Sequence, residues 1–487
     1  MNTPISELMQ IRRDKLAELQ QAGHDPFAEK VFDQQVHASE IKENFEKLEG
    51  SIVKIAGRLM SKRGMGKAAF CNLSDRSGNI QIYVRQDMVG EESYAEFKKV
   101  DIADIIGVEG EVFRTNAGEI TVKATAVTLL AKSLRPLPEK FHGLRDPELR
   151  YRMRYLDLIM NEDVRDTFVK RTRIIHILRR VLEEKGFMEV DTPILQNKAT
   201  NAAARPFHTH HNALDMDMVL RVEQELHLKR LIIGGFERVY EMGKVFRNEG
   251  MDNRHSPEYT GFEMYQAYTD YHGMMDLCED LFHAVADELC PDGKLVYQGR
   301  EINIRDPFER ITMTDAVKKY SGVDFAEIPD DETAKKVARE HHIEFEDEHK
   351  RGDILNLFFE EFVEDKLVQP TFVCDYPVEI SPLAKRTSYD PRLTERFEVF
   401  MNGWEFGNAF TELNDPIDQR GRFIDQAKKK AIEGEFEIDE DFVTAMEYGM
   451  PPTGGMGIGL DRLIMLFTGS ATIRDVQAFP VMKPVAE

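Results

Sequence analysis

Between residues 51 and 130 the sequence breaks into five short runs that alternate apolar and polar side chains, and this constrains the fold more than any other feature. The runs are SIVKIAGRL (51–59), AAFCNLSD (68–75), NIQIYVR (79–85), DIIGVEGEVFR (104–114) and EITVKATAVTLL (119–130). Gly, Asn, Ser and charged residues separate them, as turns between strands require. One helical stretch, SYAEFKK (93–99), falls after the third run. Five strands with a helix after the third fit a small Greek-key barrel of the oligonucleotide-binding (OB) type. In the third run Ile80, Ile82 and Val84 take one face and Gln81, Tyr83 and Arg85 the other. The first set suits a barrel interior. The second, with Phe70 on the neighbouring strand, offers an aromatic and hydrogen-bonding face that suits either single-stranded bases or plain cross-strand packing.

The rest of the chain is organised around this region. Residues 5–22 read as an amphipathic helix stopped by Gly23 and Pro26. Residues 133–150 hold three prolines and little periodicity, and read as a linker. From residue 151 the pattern turns helical and then alternates strands and helices, with a charged helical insertion at about 326–367. The expected domains are 1–140 and 141–487. A length of 487 residues allows about two to four domains. With 42 % hydrophobic and 31 % charged residues, the chain fits neither a disordered nor a membrane protein. No apolar run approaches the roughly 18 residues of a transmembrane helix. Early charges such as Arg12, Arg13 and Asp14 argue against a secretory signal. The four cysteines form no CxxC pair, so a reducing, cytoplasmic setting is expected. The net charge of −23 excludes a generic nucleic-acid coat. The first 150 residues are nearly balanced, however, and Lys54, Arg58, Lys62, Arg63 and Lys67 have no acid between them. That run reads either as a local surface that steers a polyanion to one place or as a solvated loop with no partner.

Three segments of the larger domain carry chemistry in combination. GFMEVDTP (186–193) joins a helix to an extended run. FRNE (246–249), a loop with Arg254, His255 and Ser256, and FEMY (262–265) read as two strands flanking a phosphate-wrapping loop, with Arg247 and Glu249 on one strand face. GIGLDR (457–462) is a glycine-rich strand entering a helix that carries Arg462. The last fits neither the dinucleotide fingerprint nor the P-loop. In this order, the three segments resemble the signature motifs of class II aminoacyl-tRNA synthetases. The stretches LRPLPEKFHGLRDPELRYRMRYLDL, ELHLKRLIIGGFERVYE, FGNAFTELNDPIDQR and YGMPPTGGMGIGLDRL extend the likeness to the bacterial class II lysyl-tRNA synthetase family along nearly the whole chain.

The resemblance implies an α+β protein: an N-terminal five-stranded OB-fold anticodon-binding barrel plus a class II catalytic domain with an antiparallel sheet flanked by helices. The residue pattern alone leaves parallel and antiparallel sheets open. The implied substrates are L-lysine, ATP and tRNA(Lys). Mg²⁺, up to three ions with ATP, is implied, as is a homodimer formed through the first motif. By resemblance Arg247 and Arg462 are catalytic. Arg247, Glu249, Arg254, His255, Tyr259 and Arg462 bind ATP. Glu225, Arg247, Glu263, Tyr265, Asn408, Phe410 and Glu412 bind lysine, with Glu412 reading the side-chain ammonium. Glu398 and Glu405 hold metal, and Phe70, Gln81 and Glu119 read the anticodon. His208, His210 and His211 have no further Cys or acid at zinc-ligand spacing; the resemblance implies that they are structural or substrate-loop residues. Thr200-Asn201, Glu223 and Ser256 depart from the common pattern near the site. Aspartyl and asparaginyl synthetases share the architecture but need a pocket other than Glu263 and Glu412. A catalytically silent RNA-binding relative would lose Arg247, Arg462 or a metal carboxylate. A relative that lysylates proteins lacks the anticodon domain.

Overall fold

Alternation along the five N-terminal runs closes a barrel. In the computed structural model, which describes residues 6–138, 144, 146–197, 204–430 and 438–484, contacts group the chain into two units, Met1–Arg145 and Asp146–Glu487. The first opens with helix α1 (Glu7–Gln21). It continues with strands β1 (Ile52–Met65), β2 (Ala68–Asp75) and β3 (Gly78–Arg85), helix α2 (Glu91–Lys99), and strands β4 (Ile105–Arg114) and β5 (Ile120–Ala131). The closed order is β1-β2-β3-β5-β4, with β3 and β5 parallel. Ile80, Ile82 and Val84 are buried inside it, and Gln81, Tyr83 and Arg85 face out half-exposed.

Strand β1 runs past residue 59, the end read from the sequence, to Met65. Its first half pairs with β4 and its second with β2, about a bulge between Leu59 and Ser61. The cationic Lys62-Arg63-Gly64 looks like a turn in sequence, and only its pairing partner keeps it extended. Nor does the basic run form one surface. Lys62 Nζ turns inward to the carbonyls of Phe97 (2.5 Å) and Val100 (2.8 Å), where it satisfies the C-terminal end of α2. Burial lowers its titration to about 8. Lys54 pairs with Glu109, and Arg58 donates to the Ala103 carbonyl at 2.8 Å.

The second unit is built on an eight-stranded sheet of order β14-β15-β16-β17-β18-β11-β10-β6. Its members in chain order are β6 (Met188–Glu189), β10 (Arg238–Phe246), β11 (Glu258–Ala267), β14 (Glu309–Thr312), β15 (Thr371–Cys374), β16 (Arg396–Met401), β17 (Trp404–Thr411) and β18 (Thr453–Gly459). The two outer pairs, β6/β10 and β14/β15, are parallel and all other pairs are antiparallel. A small side sheet holds β7 (Leu195–Gln196), β8 (His208–His211) and β9 (Met216–Leu220), and β12 (Lys294–Tyr297) pairs with β13 (Arg300–Asn303).

Helix α3 (Glu162–Glu184) buries Ile174, Ile177, Leu178 and Leu182 in the main core, an apolar stripe at helical spacing. Helix α4 (Glu225–Ile233) packs on β10 and β11. Helix α5 (Tyr271–Leu289), capped by Asp270, adds Met274, Leu281 and Phe282 to the same core. The helical segment starts earlier than about 326. Helices α6 (Met313–Ser321), α7 (Asp331–Glu340) and α8 (Arg351–Phe362) share their own core around Val317, Phe325, Ala334 and Phe358. Helices α9 (Pro416–Lys430), α10 (Glu440–Glu447), α11 (Leu460–Thr468) and α12 (Ile473–Val476) follow toward the C-terminus, and two short helices, Pro147–Arg152 and Arg154–Met160, precede α3.

Candidate active site

Two cavities meet on strands β11, β17 and β18. The smaller, about 200 Å³, is lined by Glu223, Glu225, Arg247, Glu263, Tyr265, Asn408, Phe410 and Gly455 among others. The larger, about 650 Å³, is lined by Arg247, Glu249, Arg254, His255, Tyr259, Glu405 and Arg462. Arg247, Glu263, Asn408 and Gly457 border both. Three segments far apart in sequence are thus brought to one place by strand pairing.

Arg247 and Glu249 do not lie on a strand. Strand β10 stops at Phe246, and both residues sit in the loop that follows. Arg247 Nε donates to the Val222 carbonyl at 3.3 Å, and its guanidinium lies 5.5 Å from the Tyr259 ring centre. Glu249 accepts from the Arg205 backbone N–H at 3.2 Å. Arg254 stacks over Trp404 at 4.2 Å. Arg462 enters on the first turn of α11, donates to the Glu405 carbonyl at 2.8 Å and faces His255 Nε2 at 3.1 Å.

The smaller cavity is acidic. Burial and the charges of Glu223 and Glu225 push the Glu263 carboxyl up to about 8, although the Tyr265 hydroxyl donates to it at 3.0 Å. Glu412 is not on the wall. It is fully buried behind Gly455, where a Cβ would collide with Glu412 Oε1 and the Tyr265 ring. Its other oxygen meets Lys229 Nζ, which also lies 2.5 Å from Glu225 Oε1. Burial raises the Glu412 carboxyl and Lys229 opposes that rise. The ammonium stays charged because two carboxylates outweigh its own burial. Sequence reasoning missed Lys229. Its only signal is a Glu-to-Lys spacing of four on one helix, which exposed helix faces carry just as often.

Glu405 lines the larger cavity, and Glu398 lies on the adjacent strand β16. Glu398 accepts from Tyr376 Oη at 2.9 Å and Arg396 Nη2 at 2.5 Å. Burial and the charge of Glu405 push it up to about 7 against the pull of Arg396. Among the described residues no group of three or more potential ligands is gathered. Two hard carboxylates that repel one another do fit a Mg²⁺ ion completed by phosphate oxygens. Arg396, also missed from sequence, holds Asn408 Oδ1 at 2.9 Å and so orients the shared wall.

In the barrel Phe70, Gln81 and Glu119 do come together. With Ser61, Arg63, Cys71 and Asn72 they line a cavity of about 220 Å³. Thr121 Oγ1 donates to Gln81 Oε1 at 2.9 Å, which fixes the amide. Phe70 stacks on Tyr83 with ring centres 4.4 Å apart. His208, His210 and His211 lie on exposed strand β8, where His210 Nδ1 meets Asp217 at 2.8 Å. Thr200 and Asn201 fall outside the described residues.

A closed five-stranded barrel, together with a second unit built on a mainly antiparallel sheet with a nucleotide-sized cleft, defines a class. The family model "tRNA synthetases class II (D, K and N)" matches residues 146–483, and "OB-fold nucleic acid binding domain" matches residues 53–130. Within the class, the chain belongs to the lysine–tRNA ligase family. It is 56 % identical over 482 residues to the lysine–tRNA ligase of Thermoanaerobacter pseudethanolicus, covering 99 % of this chain and 97 % of that one. It is 54 % identical over 484 residues to that of Clostridium tetani, with 98 % and 96 % covered. The lysine–tRNA ligase of Staphylococcus saprophyticus matches at 54 % over 494 residues, with 99 % and 100 % covered.

Proposed function

We propose that this chain joins L-lysine to ATP, forming lysyl-adenylate and pyrophosphate, and then transfers lysine to the 3′ end of tRNA(Lys). The observation that carries the reading is the wall shared by the two cavities. A lysine carboxylate in the smaller one meets the α-phosphate of a nucleotide in the larger one beside Arg247. A carboxylate oxygen bonds to the α-phosphorus, the bond to the bridging oxygen of the β-phosphate breaks, and pyrophosphate leaves with that electron pair. The carboxylate is already ionised at neutral pH, so no general base is needed. Rate must come from positioning and charge neutralisation. Arg247 serves both at the junction. Arg254 and Arg462 grip the distal phosphates, with His255 Nε2 holding Arg462 in place, while Glu249 and Tyr259 take the adenine. Glu398 and Glu405 would hold Mg²⁺, which neutralises phosphate charge when bound. A terminal ribose hydroxyl of the tRNA then attacks the carbonyl carbon, the bond from that carbon to the phosphate oxygen breaks, and AMP leaves with the electron pair and takes up the hydroxyl proton.

Lysine is selected by charge. Glu225, Glu263, Tyr265 and Phe410 line its pocket, and the missing side chain of Gly455 lets the charge of Glu412 reach the substrate ammonium. Lys229 offsets only part of this negative charge, so an uncharged side chain would leave the remainder without a counter-ion, which rejects it strongly. Phe70, Gln81 and Glu119 read the anticodon from the barrel. Met188, Ile194 and Leu195, exposed apolar residues in and just after the first motif, suit a homodimer contact. Four cysteines without disulfides suit the cytoplasm. Among the described residues no helix is long and apolar enough to cross a membrane. The test is ATP–pyrophosphate exchange across a panel of amino acids. Exchange that depends on lysine and ignores ornithine and arginine supports the reading; preference for another amino acid defeats it.

A further inference from the structure

Asp252, a residue with no role in the scheme above, ties the phosphate end of the larger cavity together. Its Oδ1 accepts from the backbone N–H groups of Arg254 (2.6 Å) and His255 (2.7 Å). Its Oδ2 lies 2.7 Å from His255 Nδ1, and its own N–H donates to the His255 carbonyl at 3.2 Å. The loop is pinned elsewhere by Ile473, whose N–H donates to the Asn253 carbonyl at 2.8 Å.

The contacts fix a tautomer. An ionised carboxylate only accepts, so Nδ1 of His255 carries the proton. A guanidinium only donates, so Nε2 accepts from Arg462. The neutral imidazole with its proton on Nδ1 satisfies both neighbours. The carboxylate is secure in its role. Burial works to raise it, and the bonds from His255 and the two backbone N–H groups outweigh that, so it titrates at about 2. Arg462 is held from its far side by the Glu405 carbonyl, and Arg254 by the Trp404 ring.

We propose that Asp252 is a positioning residue for the polyphosphate of ATP, presetting Arg254 and His255 directly and Arg462 through His255. The proposal rests on the reading of the larger cavity as the ATP site. It must outweigh a contrary effect, because a carboxylate repels phosphate. Asp252 is largely exposed, and at physiological salt an exposed charge weakens binding by a factor of about two to five. Each charge-assisted hydrogen bond that loses its geometry weakens binding by about tenfold or more. Ordering therefore dominates.

The experiment titrates ATP, pyrophosphate and AMP onto the full-length wild type, Asp252→Ala and Asp252→Asn, alongside lysine-dependent exchange. Asp252→Ala should weaken ATP and pyrophosphate about tenfold and leave AMP and the KM for lysine within twofold. Asp252→Asn keeps an oxygen for the two backbone N–H groups but cannot accept from Nδ1–H, so it should fall between. Equal weakening of ATP and AMP means a merely structural role and overturns the proposal, as does tighter ATP binding by Asp252→Ala. A wild type without lysine-dependent exchange would instead defeat the functional reading itself.

Discussion

Replacing Glu412 with Gln tests the lysine pocket most directly, because the structure gives this acid two tasks. It faces Lys229 inside the fold, and it sits under Gly455 at the cavity wall. Breaking a buried pair from one side costs about 3–5 kcal/mol when the remaining charge has no other partner. Lys229 keeps Glu225 at 2.5 Å, and Glu225 is itself partly open to the cavity, so roughly half of that cost applies, about 2 kcal/mol. With about 2.1 cal/mol/K of unfolding entropy per residue, the midpoint of the catalytic unit should fall by about 3 °C. The substrate ammonium loses a charged partner at the same time, a further 1.5–3 kcal/mol or about tenfold to a hundredfold in kcat/KM for lysine.

The two effects separate in a double-mutant cycle with Lys229→Met. If Glu412 stabilises the fold through Lys229, Glu412→Gln should cost little further stability in the Lys229→Met background, while its loss in lysine activation should persist. The assays are thermal unfolding and lysine-dependent pyrophosphate exchange at saturating ATP. Glu412→Gln with a kcat/KM for lysine within threefold of wild type would show that Gly455 does not pass the charge through, and would refute the reasoning.

Other predictions follow from the same geometry. Arg247→Ala and Arg462→Ala should each lower exchange by about 10²–10³ without shifting the melting temperature; wild-type rates would remove either from the site. Phe70→Ala should weaken tRNA charging about tenfold, since a stacked base is worth roughly 1–3 kcal/mol, and leave exchange untouched; equal losses in both would mean that Phe70 only supports Tyr83. Glu263 keeps its proton up to about pH 8 in the empty pocket, and a bound ammonium favours its ionised form. The KM for lysine should therefore fall as pH rises from 6 to 8, by at most about tenfold per unit, and level off above; Glu263→Gln should flatten that slope.

Strand alternation made the barrel legible, because Ile80, Ile82 and Val84 can point to only one side of β3. The order of the sheet was not legible. Strand β11 pairs with β10 through a nearby loop, but its other neighbour, β18, comes from the far end of the chain, and no local pattern encodes that choice. The motif residues were legible as a set, and their arrangement was not. Nothing in FRNE says that the strand ends at Phe246, and nothing in ELHLK says that Lys229 turns inward to Glu412. Part of the basic run was misjudged for the same reason, although Arg63 does line the barrel cavity. Lys62 looks solvated until the carbonyls at the end of α2 are placed beside it.

What the structure adds is a way for an acidic chain to hold polyanions. The excess of negative charge lies almost wholly beyond residue 150, yet Arg247, Arg254 and Arg462 are gathered on one cavity whose nearby acids are engaged. Glu249 accepts a backbone N–H, Asp252 holds His255, and the Glu405 carboxylate lies 3.8 Å from Arg462 Nη1. Each of these three acids at the proposed phosphate site thus faces a cation or orders a loop. The opposite logic holds across the shared wall, where three carboxylates line the cavity proposed for lysine and Lys229 neutralises part of their charge from behind. The reaction needs both signs at adjacent points, a cationic cleft for a triphosphate and an anionic pocket for a diamine. Arg247 and Glu263 on the common wall are where the two fields meet. A net charge reported for the whole chain averages over that boundary, which is why composition excluded a nucleic-acid coat without excluding a nucleotide enzyme.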